Sequence, residues 1–258
     1  MISLVVPCAG TGQRFVQSVP GTGKIKKHLS PIKGIPVFLH TLSRFKTFPE
    51  ISEVILVINK DDEAEFNKWL AKDILDTCGL EYAGRCPDPA HQHTYTGKPV
   101  YTVYGGTNRF DSVYRGLCAC TELPYVFIHD AVRPLIHPRD IQMLISLIQE
   151  KKTAILATEP QINSLKKINA CDMVIENIPR HSVVSASTPQ CFPHRKILDA
   201  YNAFLKDFQN KKNTDADIPT DDAEIYLRYG GQIMVCELTH PNLKLTRYED
   251  LKYIENFL

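Results

Sequence analysis

The sequence predicts an α/β protein built on a single doubly wound, mostly parallel sheet. Two observations support this prediction. Short apolar runs rich in β-branched residues recur along the chain, and amphipathic segments of helical length separate them. Such runs are typical of parallel strands that are buried on both faces. The 258 residues contain no internal repeat and no linker rich in Gly, Ser or Pro, which favours one domain over residues 1–258.

Each element follows from one of these two patterns. The predicted strands are residues 2–7, 54–58, 100–104, 125–128, 153–157 and 232–238. The predicted helices are residues 36–48, 61–78 and 108–120, a segment that begins at Pro138, and residues 197–208, 221–229 and 248–258. Asp61 and Asp62 favour a helix start because the helix dipole stabilises acids in the first turn. Pro138 suits a first helical position, where its missing N–H is not needed.

Three segments depart from the alternation of strand and helix. In residues 159–180, two β-like stretches (164–168 and 173–178) flank a turn-like Asn-Ala-Cys-Asp sequence. This pattern predicts a protruding β-hairpin arm. Residues 16–26 and 79–99 contain Gly and Pro without periodicity, so we expect both to be surface loops.

Composition excludes several classes of protein. The chain has 30 Lys and Arg against 29 Asp and Glu, which argues against nucleic-acid binding through a general basic surface. No apolar run approaches the roughly 20 residues of a membrane span, and the N-terminus lacks the basic segment of a signal peptide. The eight cysteines include no CxxC pair, which predicts free thiols and a cytoplasmic location. His91 and His93 lack an evident third ligand, so no metal site is predicted.

Segments suited to ligand binding follow three of the predicted strands. Ligands of a parallel sheet gather where its strands end. The first strand runs into Cys8-Ala9-Gly10-Thr11-Gly12, whose small residues let backbone N–H groups approach phosphate oxygens. A structural turn explains this segment equally well. Arg14 and the basic residues Lys24, Lys26 and Lys27 favour a polyphosphate ligand.

The other chemistry-bearing segments each have a structural alternative. Residues 105–112, Gly-Gly-Thr-Asn-Arg-Phe-Asp-Ser, follow the third strand and suit either a ligand loop or a tight turn with an Asn cap. Asp130 and Arg133 follow the fourth strand and form either a ligand site or a salt bridge. Near the C-terminus, Lys244 lies between Leu243 and Leu245.

Together and in this order, these segments resemble the cytidylyltransferases that make CDP-linked polyol phosphates. The nearest resemblance is to the enzymes that act on 2-C-methyl-D-erythritol 4-phosphate in the non-mevalonate isoprenoid pathway. The matching segments are residues 7–14, 105–112, 129–134, 188–192, 220–223 and 242–251. Cys8 and Val132 stand where this family has alanine. The resemblance implies a Rossmann-like nucleotidyltransferase fold and transfer of CMP from CTP to a polyol phosphate, with release of pyrophosphate.

The resemblance also implies roles for individual residues. The implied catalytic residues are Arg14, Lys27 and Lys244. Those implied to bind CTP are Cys8, Ala9, Gly10, Thr11, Gly12, Gly106, Thr107 and Ser112. Those implied to bind the polyol phosphate are Asp130, Arg133, Ser164, Arg180 and Thr188. The resemblance further implies a homodimer, in which Ser164 and Arg180 of the hairpin arm reach the active site of the partner subunit. It also implies a Mg²⁺ ion that is held mainly by the CTP phosphates.

Three alternatives stay open at the level of sequence. The lysine after the first loop is Lys27 when counted back from Gly34, without a gap, and Lys26 when counted from Leu29; we favour Lys27. Val132, and the absence of a Trp near Arg180, fit a ribitol-5-phosphate cytidylyltransferase instead. A non-catalytic nucleotide-binding protein on the same fold is disfavoured, because the charged residues of the motifs are retained.

These charged residues suit the implied chemistry. A phosphate monoester is mostly ionised at neutral pH, since its second pKa is about 6, so its attack on CTP needs no general base. The obstacle is the approach of two anions while charge builds on the leaving group. Fixed cations and Mg²⁺ offset that charge directly.

Overall fold

The computed structural model describes residues 1–10, 12–19, 25–71, 80–85, 98–210 and 218–258. The strands are β1 Ile2–Pro7, β2 Pro31–Ile32, β3 Ile35–Pro36, β4 Ile51–Ile58, β5 Leu80–Arg85, β6 Lys98–Tyr104, β7 Tyr125–Ile128, β8 Ala154–Pro160, β9 Leu165–Ile168, β10 Val174–Ile178, β11 Val184–Pro193 and β12 Ile233–Glu237. The helices are α1 Gln13–Ser18, α2 Val37–Ser43, α3 Glu63–Trp69, α4 Arg109–Ala119, α5 Pro138–Lys151, α6 His194–Asn210, α7 Asp222–Arg228 and α8 Asp250–Glu255.

Eight strands form the main sheet, in the order β12-β8-β11-β7-β1-β4-β6-β5. Every neighbouring pair is parallel except the two that involve β11, which runs antiparallel to both β7 and β8. The predicted α/β class with a mostly parallel sheet is therefore confirmed. Strands β7, β1, β4 and β6 are consecutive parallel neighbours, so the carboxyl ends of β1, β6 and β7 lie at the same edge of the sheet.

Alternating side chains of the sheet pack into two separate hydrophobic cores, one on each face. Leu4 and Val6 of β1 pack on one face, with apolar residues of α2, α3 and α5. Val5, between them, faces the opposite side with apolar residues of α4, α6 and α7. Both layers are fully buried, which is why the central strands read as continuous apolar runs in the sequence.

The periodic segments form the expected elements, with changes at their ends. The six predicted strands and the hairpin are present. Helix α2 ends at Ser43 instead of residue 48, because i→i+3 bonds such as Phe45 N–H to Leu42 O tighten the chain into turns before Pro49. Within residues 61–71, the described part of the helix predicted over 61–78, the helical residues are those of α3, preceded by a 3₁₀ turn over Lys60–Asp62. Residues 72–78 lie outside the described part of the chain.

Two sequence-based predictions were wrong. Residues 79–99 are not simply a loop, since they contain β5, an edge strand that pairs with β6. Residues 16–26 include the end of α1. Strand β11 was also missed, because Val184-Ser-Ala-Ser-Thr-Pro-Gln-Cys-Phe-Pro193 contains two prolines and few consecutive apolar residues. Its strand conformation comes from hydrogen bonds to β7 and β8, which only the folded sheet supplies.

The hairpin arm forms its own two-stranded sheet from β9 and β10. It carries several apolar side chains that are exposed in the single chain. Ile162, Met173 and Val174 are 81%, 64% and 62% exposed. Exposed apolar side chains on a projecting segment are typical of a surface that another molecule covers. Within the described residues, no helix has the length and apolarity needed to cross a membrane.

Gly116 lets α4 pack directly on the sheet. A Cβ at this position would lie 2.6 Å from Cγ1 of Val5 and 2.8 Å from Cγ2 of Val57, both on buried strands. We expect Gly116→Ala to lower the free energy of unfolding by about 1–3 kcal/mol through overpacking, despite the better helix propensity of Ala. Urea unfolding measures this change. Arg115→Ala, at the exposed neighbouring position, should change stability by only about 0.5 kcal/mol or less. Equal stability of the two variants would contradict the close packing of α4.

Candidate active site

A cavity of about 540 Å³ lies at the edge of the sheet where β1, β6 and β7 end. Most of the predicted site residues meet there. Those that line the cavity are Cys8, Ala9, Gly10, Lys27, Gly106, Thr107, Ser112, Asp130 and Lys244. The remaining predicted residues lie beside the cavity, on the hairpin arm or outside the described residues.

The first loop continues β1 into the cavity wall. The Cys8 N–H donates to Val57 O at 2.7 Å, which holds the start of the loop against β4. Burial raises the pKa of the Cys8 thiol well above its ordinary value, so the side chain acts as an apolar group. Gly12 has φ +64°, a conformation that favours glycine. Thr11 lies outside the described residues, and of Arg14 only its position in α1 is described.

Lys26 and Lys27 differ in their surroundings. The Lys26 ammonium group bonds both carboxylate oxygens of Asp62, at 2.6 and 2.7 Å. Burial opposes the ionisation of Asp62, but His28 and Lys26 outweigh it and hold the pKa of this carboxyl below its ordinary value. Lys27 instead lines the cavity, and its side chain passes Gly12, where a Cβ would lie only 3.3 Å from Lys27 Cγ. Of the two lysines, Lys27 is therefore the one that faces the cavity.

The second loop precedes α4 and is ordered by hydrogen bonds between its own residues. The Gly106 N–H donates to Ser112 Oγ at 3.0 Å, and the Ser112 hydroxyl donates to Asn108 O at 2.8 Å. Asn108 also caps α4 by accepting from the Asp111 N–H at 2.8 Å. A Cβ on Gly106 would lie 1.7 Å from Asp111 Oδ2, so only glycine fits. The Asn cap and a ligand-facing loop, which were alternatives in the sequence, coexist in this segment.

Asp130 is the centre of charge in the cavity. Its carboxylate lies 2.7 Å from Lys244 Nζ, 3.4 Å from Arg133 Nε and 3.9 Å from Arg109 Nη2. Burial opposes its ionisation, but Lys244, Arg109 and Arg133 outweigh burial and hold the pKa of Asp130 far below its ordinary value. Asp130 is therefore an anion near neutral pH.

The C-terminal loop that carries Lys244 is tied to the end of β7. Arg133 Nη1 donates to Asn242 O at 2.7 Å, and the Leu245 N–H donates to Val132 O at 2.9 Å. The buried Asn242 side chain in turn donates to Thr188 O at 2.7 Å. Arg133 thus links the end of β7 to the C-terminal loop, and the salt bridge to Asp130 expected as an alternative is present.

His129 and Thr188 support Asp130 from behind. The Asp130 N–H donates to Thr188 Oγ1 at 3.2 Å, and the same hydroxyl lies 3.0 Å from His129 Nδ1. His129 Nε2 lies 3.2 Å from Arg133 O, so both ring nitrogens have partners. Burial lowers the pKa of His129 to about 4, which leaves the ring neutral near pH 7. Thr188 does not line the cavity but fixes the backbone beneath Asp130.

The sequence did not reveal the role of Arg109. Its guanidinium lines the cavity and forms a bidentate ion pair with the fully buried Asp222, at 2.8 and 2.7 Å. Burial opposes the charge on Arg109, but Asp222 outweighs it and raises the pKa of Arg109 above its ordinary value. Both residues lie in recognised motifs, yet their positions are 113 apart in the chain. Nothing in the sequence pattern pairs them.

Ser164 and Arg180 lie on or beside the hairpin arm, not at the cavity of their own chain. Both are exposed, and Arg180 Nη1 donates to the Ile162 carbonyl oxygen at 3.2 Å. No group of three His, Cys, Asp or Glu side chains suited to a metal occurs among the described residues. His91 and His93 fall outside them.

Comparisons with known proteins match this architecture. The family model of 2-C-methyl-D-erythritol 4-phosphate cytidylyltransferase (IspD) matches residues 2–258. The enzyme of that name from Bacillus cytotoxicus is 31% identical over all of this chain and 98% of its own length, and the one from Bacillus thuringiensis is 29% identical over the same shares. The crystal structure of 4-diphosphocytidyl-2C-methyl-D-erythritol synthase from Anaerococcus prevotii superposes with a TM-score of 0.74 at 25% identity, covering 100% of this chain and 97% of that one.

His129 predicts a defined pH dependence of stability. Its pKa is about 4 in the folded protein and about 6.5 in an unfolded chain. Between these values the unfolded chain binds the extra proton, so the free energy of unfolding falls as pH is lowered through the window, by up to about 1.4 kcal/mol per pH unit from this residue. His129→Gln keeps a polar side chain at this position but removes the group that binds the proton. The free energy of unfolding of this variant should therefore depend less steeply on pH than that of the wild type. Urea unfolding across the window tests this, and equal slopes would contradict it.

Proposed function

This chain belongs to the 2-C-methyl-D-erythritol 4-phosphate cytidylyltransferase family, and we propose that the cavity at the ends of β1, β6 and β7 is its active site. The reaction transfers CMP from CTP to 2-C-methyl-D-erythritol 4-phosphate in isoprenoid biosynthesis. The family match over residues 2–258 favours this substrate over the ribitol 5-phosphate that the sequence left open. The convergence of Lys27, Asp130 and Lys244 on one cavity is the observation that supports the location.

CTP is held by the two glycine-containing loops. The backbone of residues 8–12 and of Gly106 and Thr107 approaches the nucleotide, and Ser112 faces its ribose. Lys27 lies on the triphosphate side of the cavity, with Arg14 assigned to the same side by its motif. The described lining contains three cationic side chains, Lys27, Arg109 and Lys244, against the carboxylate of Asp130. This excess of positive charge suits a polyanionic nucleotide.

The nucleophile is a phosphate oxygen of the polyol phosphate. It attacks the α-phosphorus of CTP, a new P–O bond forms, and the bond to the β-phosphate oxygen breaks, so that pyrophosphate leaves. The attacking oxygen is already ionised, and no base is required. His129 is not a candidate base, because it is buried, neutral and bonded at both ring nitrogens. Catalysis therefore rests on position and charge.

Lys244 stabilises the charge that builds on the α-phosphate. Its ammonium group is bonded to Asp130, 2.7 Å away, and is therefore already placed at the end of β7. Asp130 accepts a hydrogen bond from a hydroxyl of the polyol, Thr188 holds the backbone beneath it, and Arg133 assists in binding the polyol phosphate.

Mg²⁺ is the proposed cofactor. The described residues provide no cluster of carboxylates for it, and Asp130, the carboxylate in the described lining, is already paired with Lys244. The described lining therefore suits a cation that is held mainly by the CTP phosphates. When bound there, Mg²⁺ supplies charge neutralisation on the triphosphate.

The active form is a homodimer in which the hairpin arm completes the partner's site. The exposed apolar side chains of the arm, Ile162, Met173 and Val174, support this assembly. Arg180 then offers bidentate contacts to the phosphate of the polyol substrate, and Ser164 offers a hydroxyl. The chain forms a single domain, with the arm at residues 159–180. The six described cysteines are free thiols, in keeping with a cytoplasmic location.

Removal of either lysine tests the assignment of the cavity. We expect Lys27→Ala and Lys244→Ala each to lower kcat by at least ~100-fold, comparable to the loss of one preorganised donor at an oxyanion. Pyrophosphate release with CTP, Mg²⁺ and 2-C-methyl-D-erythritol 4-phosphate measures this, with ribitol 5-phosphate as the comparison substrate. Lys196→Ala, at an exposed position on α6, is the control and should keep wild-type activity. Near-normal turnover of both folded cavity variants would refute the proposed site.

Mixed dimers test the contribution of the arm. Arg180→Ala and Lys244→Ala should each be inactive alone, but a mixture that exchanges subunits forms dimers with one intact site. A random mixture should recover about a quarter of wild-type activity, since half the dimers are mixed and each has one working site. A mixture of Lys27→Ala with Lys244→Ala is the control, because both residues line the same cavity and no intact site can form. Absence of recovery in the first mixture, with dimers present, would show that Arg180 does not act across the dimer.

A further inference from the structure

Arg109 connects the nucleotide loop to the far side of the cavity. It begins α4, directly after the second glycine-containing loop, and its guanidinium lies in the cavity wall. Nη1 and Nη2 each donate to one oxygen of Asp222, at 2.8 and 2.7 Å. A bidentate pair of this kind fixes the plane of the guanidinium as well as its position.

Asp222 is itself firmly held. It is fully buried at the start of α7, and Tyr201 of α6 donates its hydroxyl to Asp222 Oδ1 at 2.6 Å. The Ala223 N–H, one residue on, donates to the side chain of Gln190 at 2.9 Å. These contacts anchor the carboxylate through two helices and β11. Arg109 is therefore held from behind by a rigid partner.

The same guanidinium also approaches Asp130, through the nitrogen Nη2 that it shares with Asp222. Nη2 of Arg109 lies 3.9 Å from Asp130 Oδ1, while Lys244 Nζ lies 2.7 Å from the other oxygen of that carboxylate. Charges therefore alternate in sign along the row Asp222, Arg109, Asp130 and Lys244. Three of these groups line the cavity and the fourth, Asp222, is buried behind it.

This row of charges explains how Lys244 can first bind Asp130 and then turn to the α-phosphate of CTP. When the ammonium group of Lys244 turns to the α-phosphate of CTP, Asp130 loses its nearest counter-charge at a site shielded from water. A buried carboxylate without a partner is strongly unfavourable. Arg109 and Arg133 remain beside it, and Arg109 cannot follow the phosphate because Asp222 holds two of its N–H groups.

We propose that Arg109, fixed by Asp222 and Tyr201, is a positioning residue that keeps Asp130 compensated while Lys244 transfers from Asp130 to the phosphate of CTP. A structural salt bridge alone does not account for the arrangement. Replacement of a buried ion pair by neutral groups is often neutral or stabilising, and this pair lies with its cation open to the cavity. The inference rests on the proposed roles of Asp130 and Lys244.

The test separates this positioning role from a role in folding. In Arg109→Met the buried Asp222 is left unpaired, so this single variant is expected to lose both stability and activity. Arg109→Met/Asp222→Asn removes the stranded charge and should recover the thermal midpoint towards the wild type. We expect kcat of this double variant to stay ~10-fold or more below the wild type, the scale set by small misplacements of reacting groups. The KM for CTP should change less than kcat.

Arg109→Lys and Arg195→Met complete the set. Arg109→Lys keeps the positive charge but loses the planar guanidinium that bonds both oxygens of Asp222. It should lower kcat in a folded protein even if the double variant does not fold. Arg195→Met removes an exposed arginine that pairs with Asp199 on α6 and should leave both kcat and KM unchanged.

Three results would overturn the inference. The first is a double variant that recovers stability and kcat together, since the pair would then be purely structural. The second is a rise confined to the KM for CTP, which would make Arg109 a direct nucleotide contact. The third is full activity of Arg109→Lys. If Lys244→Ala itself proves active, the proposed function fails; if it is inactive while the Arg109 variants are active, only the present inference fails.

Discussion

The carboxylate of Asp130 is the charge on which the site depends. It lies where β7 ends and is shared by Lys244, Arg133 and Arg109, which come from three different parts of the chain. One buried anion thereby holds together three cations that would repel each other in its absence. The site is ready to receive polyanions because these cations are already in place, so little reorganisation is needed during the reaction.

The support for this carboxylate extends well behind the cavity. Thr188 fixes the backbone of Asp130, and the neutral His129 holds Thr188 in turn. Asn242 connects the same region to the loop that carries Lys244. Buried hydrogen bonds of this kind constrain residues that have no expected contact with substrate. The site is thus made rigid by residues that do no chemistry themselves.

The sheet topology explains why a chain of nearly zero net charge can bind two polyanions. The loops that follow the parallel strands β1, β6 and β7 all lie at one edge of the sheet, and the cationic side chains of the cavity are concentrated there. Elsewhere, acidic and basic side chains balance, as in the exposed pair Arg195–Asp199. The charge that matters is therefore local, and an average over the whole chain conceals it.

The fold class and most of the cavity lining could be predicted from the sequence alone. Buried strands read as apolar runs, and short loops such as Cys8–Gly12 follow them directly, so both are local properties of the chain. The remaining features depend on contacts between distant parts of the chain. Strand β11 forms because it is hydrogen-bonded to β7 and β8, and not because its composition favours a strand. Lys26 is bonded to Asp62, a residue 36 positions distant, and not to the cavity. The pairing of Arg109 with Asp222 spans 113 positions. A sequence pattern records which side chains are charged, but the fold alone determines which opposite charge each one meets.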